Sequence, residues 1–282
     1  SVSHRGDGRA ALAHINATNP QTQAALQLSA SPQGFEAYLA QKNPDAIATL
    51  RTLKAIKRLR QQPDIEYAEP NFRLRSMLTP SDPAYIYQWH YGAINLPQAW
   101  NITTGSADVI VAVVDTGVFG AHPDLQGQLV PGYDFVSNVK ASNDGDGIDP
   151  DPTDPGDSIH VGSSSWHGTH VIGTVVAAMN NGEGGVGVAP GAKAMPLRAM
   201  GQGGGLSYDV LQAVRYAAGM ENDSGTLPAQ SADIINLSLG GGGYSQMSQE
   251  LFHMVRERGV IVVAAAGNEN TDEPMYPASY RG

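Results

Sequence analysis

Three short apolar runs limit what this chain can fold into. They are "DVIVAVVDTGV", "ADIINLSLGG" and "GVIVVAAAGN". Each is a near-continuous stretch of Val, Ile and Ala, and each ends in a polar residue and glycine. Helix-period stretches such as "DVLQAVRYAAGM" and "QMSQELFHMVRERG" separate them. Continuous runs of this length suit strands buried on both faces and joined by crossover helices. The expected fold is therefore α/β, a parallel sheet flanked by helices. In such sheets ligands bind beyond the carboxyl ends of the strands. The polar residues at those ends are Asp115, then Asn236 and Ser238, then Asn268.

The 282 residues allow a small domain plus a larger one. Residues 1–77 hold ten Lys and Arg against six Asp and Glu; residues 78–282 hold seven against twenty-one. A basic head on an acidic body suggests that the two parts dock, although ordinary solvated charge on separate surfaces explains it equally well. An acidic body argues against nucleic acid as the main partner. In the head, "NPDAIATLRTLKAIKRLRQQ" predicts a helix. Asn43 suits its cap, Pro44 its first turn, and Ile47, Leu50, Ile56 and Leu59 its apolar face. "DIEYAEPNFRLRSM" alternates like a strand, so the head reads as a small α/β domain. "LTPSDPAY" reads as an exposed linker. Residues 78–87 then cover the linker and the start of the body, and 88–282 the rest of it.

No cysteine is present, which excludes disulfides, Cys-bound zinc and a thiol nucleophile. No apolar run is long enough to span a bilayer, and no signal peptide opens the sequence.

"SWHGTHVIGT" sets His167 and His170 three positions apart. Zinc sites of the His-Glu-x-x-His kind need one helical turn of spacing, a motif glutamate and a third ligand. The spacing differs here and the glutamate is absent, so a metallohydrolase is the weakest of the readings. His167 falls at a loop-to-helix junction, where an imidazole can face a cleft. His170, a turn further in, is expected to be the buried structural one. A base needs a carboxylate to orient it, and Asp115 at the end of an apolar strand is suited to that role.

In this order, "VAVVDTGV", "HGTHVIGT", "NLSLGG" and "VVAAAGNEN" resemble the subtilisin-like serine proteases, from about Gln88 to Gly282. The head looks like the inhibitory, fold-assisting propeptide of that family. The resemblance implies Asp115 as the triad acid, His167 as the general base and Asn268 as oxyanion donor. It implies that Ser238, Leu239 and Gly240 form a substrate-binding edge. Gly203, Gly204 and Gly205 of "GQGGG" would line the other side of a peptide bound as an added strand. It further implies peptide or protein substrates, self-cleavage somewhere in residues 75–81, and export.

"AHPDL" and "AAMNNGEGGVGVAP" resemble the segments that form a calcium site in many members. Asp124 and the Asn181 side chain would be ligands, with carbonyls near Met179, Glu183 and Gly185. "NDGDGIDPDPTDPGD" crowds Asp144, Asp146, Asp149, Asp151, Asp154 and Asp157 together. It reads as a second calcium site or as a solvated acidic loop. Gly182, Gly184 and Gly187 match a dinucleotide-binding spacing but follow a helix rather than a strand.

The family's nucleophile comes from a Gly-Thr-Ser segment downstream of the Asn motif, and these residues contain none. The expectation is a serine endopeptidase precursor whose serine lies outside this chain, on a missing continuation or on a separate C-terminal fragment. These residues alone would then be inactive. The alternative is a catalytically dead relative that binds peptides or inhibits a protease through residues 1–77.

Overall fold

The computed structural model describes residues 44–63, 65–70, 78–158, 160 and 163–281. The chain divides into two compact units, Ser1–Arg75 and Ser76–Gly282. In the first, helix α1 (Pro44–Leu59) forms as expected. Ile56 is buried and Leu50 and Leu59 half-buried, while Leu53 stays exposed. The Asn43 cap and most of the expected strand lie outside the described residues. Residues 65–70 form no strand. Pro70 lacks an N–H for a ladder, and the Arg60 Nε takes the Ala68 carbonyl instead, at 2.6 Å.

The second unit holds two short helices, α2 (His90–Ala93) and α3 (Leu96–Trp100), and then strand β1 (Ile110–Asp115). A 3-10 turn (Pro123–Leu125), β2 (Tyr133–Asp134) and α4 (Val139–Ser142) follow. After them come α5 (His167–Val176), β3 (Lys193–Arg198), α6 (Ser207–Ala217), β4 (Ile234–Leu237), α7 (Gln246–Glu257) and β5 (Ile261–Ala264). The sheet runs β2-β3-β1-β4-β5 and every pairing is parallel. The three apolar runs are β1, β4 and β5, as the sequence predicts.

All six residues of β1 are buried. Ile110, Ala112 and Val114 pack with Leu211 and Val214 of α6 and with Leu251, Phe252 and Val255 of α7. Val111 and Val113 pack on the other face with Ile172 and Val176 of α5. Those two α5 residues are four apart and share one helix face. One central strand thus carries both cores, and its last residue, Asp115, emerges where they meet.

Two strands escape the sequence pattern. β2 is only two residues long, and β3 contains Pro196, which argues against a central strand. The structure tolerates it because β2 pairs only with Leu197 and Arg198, leaving no ladder partner for position 196 on that side. The expected linker is exposed only in part, at Thr79, Ser81 and Pro83. Asp82 is buried by hydrogen bonds to the loop at 180–181, and Pro80 is buried with it. β5, expected to be buried on both faces, alternates exposed and half-buried, because its outer face has no covering element among the described residues.

Candidate active site

Asp115 ends β1 and is 1% exposed. Its Oδ1 meets His167 Nδ1 at 2.7 Å and accepts the Thr116 N–H at 2.8 Å. Its Oδ2 is buried without a hydrogen-bond partner among the described residues. Burial pushes the Asp115 carboxyl above its usual range, and the His167 and Thr116 hydrogen bonds pull it back. A carboxylate stripped of water gains most from the few donors that reach it, here the Thr116 N–H and the His167 ring.

His167 opens α5, and its side chain is 49% exposed. One ring nitrogen is therefore held by a buried acid while the ring reaches solvent. Gly168 makes this approach possible. A Cβ there would overlap the Gly117 carbonyl oxygen and press on Asp115 Cβ at 3.2 Å. Thr116 closes the corner by accepting the Gly168 N–H at 3.0 Å and donating to Asp154 at 3.3 Å. His170, expected to be buried, is exposed, because α5 turns Ile172 and Val176 rather than position 170 toward the sheet.

Gly203, Gly204 and Gly205 face Leu239 and Gly240 across a cleft of about 390 Å³ whose lining includes Leu211, Phe252 and Tyr280. Gly203 and Gly204 take φ of +82° and +109°, which glycine adopts freely. Ser238 does not line this cleft; its Oγ accepts the Asn236 side-chain N–H at 2.9 Å. Asn268 lies exposed in the loop after β5, its N–H donating to Glu269 at 2.7 Å. No hydrogen bond links it to Asp115 or His167.

The expected calcium ligands gather on one loop. Asp124 is buried and accepts the Asn181 side-chain N–H at 2.9 Å and the Gly185 N–H at 3.0 Å. Asn181 Oδ1 accepts the Glu183 N–H at 3.0 Å. Met179 is half-buried at the start of the loop. Gly184 is required here, since a Cβ would overlap the Asp124 carboxylate. The sequence reading missed Asp82, which is 3% exposed and accepts the N–H groups of Asn180 and Asn181 at 2.8 and 3.1 Å. Its only signal was a lone acid between two prolines. Two buried carboxylates thus hold one loop, and no Lys, Arg or His pairs with either among the described residues. An oxygen-only donor set of that charge fits calcium.

The acidic segment divides: Asp146 and Asp151 are exposed, as in a solvated loop, while Asp144 and Asp149 join Asp134 in a cluster of carboxylates. Arg198 is 1% exposed and pairs with Asp134 and Asp144. Asp134, Asp144 and Asp149 bring carboxylate oxygens within 4.8 Å of one another, a spacing that could hold a cation, and the guanidinium pairs with the first two. Asp154 and Asp157 hold the loop before His167 by accepting from Ser164 at 2.7 Å and from the Ser165 N–H at 2.7 Å. The sequence offered no sign of Arg198, because a charged residue in an apolar strand is paired only by the fold.

A buried acid at the end of a strand, an imidazole at the start of a helix and a glycine-edged cleft are together on one rim of the sheet. The sequence profile of the Subtilase family matches residues 106–282. The chain belongs to the subtilase family. It is 37% identical over 256 residues to the extracellular basic protease of Dichelobacter nodosus, covering 83% of this chain and 42% of the relative. It is 38% identical over 257 residues to the extracellular protease of Xanthomonas campestris pv. campestris, covering 86% and 43%. A solved protease of Pseudoalteromonas arctica PAMC 21717 superposes with a TM-score of 0.67 at 44% identity, over 71% of this chain and 62% of that one. This subtilase chain spans less than half the length of the two curated relatives.

Proposed function

We propose that these residues belong to the precursor of a secreted serine endopeptidase. The 2.7 Å contact between His167 Nδ1 and buried Asp115 carries this reading. Asp115 holds the proton on Nδ1, which leaves Nε2 free to take a proton. Nε2 accepts the hydroxyl proton of a serine supplied from beyond these 282 residues. That serine attacks the peptide carbonyl, and the imidazolium returns the proton to the leaving amine. Asn268 donates its side-chain amide to the oxyanion; such a donor is worth roughly 3–4 kcal/mol in the transition state. The peptide lies between Gly203–Gly205 and Ser238–Gly240 as an added strand.

Calcium is bound by Asp82, Asp124 and Asn181 with the carbonyls of Met179, Glu183 and Gly185. When bound, it neutralises the two carboxylates and fixes the loop. Residues 1–77 act as an intramolecular inhibitor until cleavage within 75–81 releases the rest. The names of the relatives, which describe extracellular proteases, support export.

The test is labelling with a serine-directed phosphonyl reagent alongside peptide hydrolysis. The full-length protein is expected to hydrolyse peptides and take the label on a serine outside these residues. The 282-residue chain alone is expected to do neither. Labelling of this chain, or a full-length protein that binds peptides without hydrolysing them, would overturn the reading.

A further inference from the structure

The residue before His167 adopts a backbone conformation that its side chain disfavours. Trp166 has φ of +55°, in the left-handed region that bulky residues rarely enter. Strain of this kind persists only where the surroundings enforce it, and it gathers at functional sites. Here the surroundings do enforce it. The Trp166 N–H donates to Ser164 Oγ at 2.9 Å and the His167 N–H to Ser165 Oγ at 3.2 Å. Ser164 and Ser165 are in turn anchored on Asp154 and Asp157.

The ring held in this way is not buried. Trp166 is 46% exposed and faces Phe119, which is 44% exposed, with centroids 5.7 Å apart and planes at 59°. Phe119 is tied to the same helix start, its N–H donating to Thr169 Oγ1 at 2.8 Å. Two large rings thus flank the start of α5, one on the residue before His167 and one on a residue whose N–H is bonded to Thr169. Neither lines the cleft between Gly203–Gly205 and Leu239–Gly240.

We propose that Trp166 and Phe119 form an aromatic ledge that receives a large apolar or aromatic side chain on the leaving-group side of the scissile bond. The proposal rests on the proteolytic reading above. In that reading the glycine-edged cleft takes the acyl side of the peptide. His167 hands its proton to the leaving amine, so the chain beyond the scissile bond must pass the imidazole. The surface it meets there, outside the cleft, is the one these rings flank. Fixed rings with exposed faces and edges favour another ring or a branched aliphatic group over a polar one.

The test uses the full-length protein and two internally quenched peptides with the same acyl side, carrying Phe or Ser just after the scissile bond. The quantity measured is the Phe-to-Ser ratio of kcat/KM. The wild type is expected to prefer Phe by about ten-fold, the size of effect a single aromatic contact supports. Trp166→Gly removes the ring in a residue that accepts positive φ, and the ratio should fall toward one. Trp166→Phe should restore most of it, and Phe119→Ala should lower it independently. An active wild type with no preference overturns the ledge. So does a Trp166→Gly enzyme that loses the same factor on both peptides, because the ring would then serve only to place His167. A wild type that cleaves neither peptide and takes no serine label brings down the proteolytic reading and the ledge with it, a result distinct from an active but indifferent enzyme.

Discussion

β1 and β5 are written alike and fare differently. Both are short runs of Val, Ile and Ala that end at a polar residue the site is expected to use. β1 lies between β3 and β4, has helices on both faces, and hides every residue. β5 is one of the two edge strands among the described residues, with Ile261 59% and Val263 51% exposed. The polar ends differ in the same way. Asp115 is locked to Thr116 and His167, whereas Asn268 stands in solvent. An apolar run therefore specifies a strand, but its neighbours decide whether it is core and whether its end residue is positioned.

The largest effect expected from this contrast is catalytic. In the full-length protein, Asp115→Asn should lower kcat by about 10⁴, as losing the orienting acid does in triads generally, measured by peptide hydrolysis. Asn268→Ala should lower it by only 10²–10³, roughly the loss of one oxyanion donor. Equal losses would mean that the two ends do not hold the separate roles assigned to them.

Calcium should support the β1 side. The Ala178 N–H after α5 donates to the Asp124 carbonyl at 2.9 Å, which ties the proposed ion to the helix that carries His167. Chelation should lower the unfolding free energy by about 3 kcal/mol if the ion is held near a hundred-fold above its Kd. Hydrogen exchange should then rise in α5 and β1 before β5. Asp82→Asn should reproduce much of the loss, and a chelator with no effect on Tm would remove calcium from the account.

Packing gives the next test. Val113 is 1% exposed and Val263 51%. Val113→Ala should destabilise the chain by about 2 kcal/mol and Val263→Ala by less than about 0.5 kcal/mol. A Val263→Ala cost that rises in the full-length protein would show that a further segment covers β5.

These contrasts mark what the sequence could and could not convey. β1, β4, β5, α6 and α7 were legible because period and length are local properties. The Asp115–His167 pair was legible from a polar residue ending an apolar run and an imidazole at a helix start. β3 was hidden by Pro196, which is acceptable only because β2 is too short to need its N–H. Asp82 was hidden because a proline-flanked acid looks solvated until a loop folds over it. Arg198 and the exposed face of β5 were hidden because burial depends on distant chain.

A further effect is expected in pH dependence. Burial pushes the Asp134 carboxyl up to about 7, against the Val136 N–H and the Arg198 guanidinium, which pull it down. The unfolded carboxyl titrates near 4, so between about pH 4 and 7 the folded chain holds a proton that the unfolded chain releases. The stability contributed by this group therefore falls as pH rises through that window. Asp134→Asn removes the fall, and the slope of unfolding free energy against pH should become more positive by up to about 1.4 kcal/mol per pH unit. An unchanged slope would mean that Arg198 keeps the acid ionised throughout.

The central claim is that Asp115 fixes the proton of His167. Nitrogen-15 and proton NMR of the His167 ring at neutral pH reads this directly. The account predicts a neutral ring protonated on Nδ1, with a strongly deshielded Nδ1 proton that disappears in Asp115→Ala. A neutral ring carrying its proton on Nε2 in the wild type would contradict it.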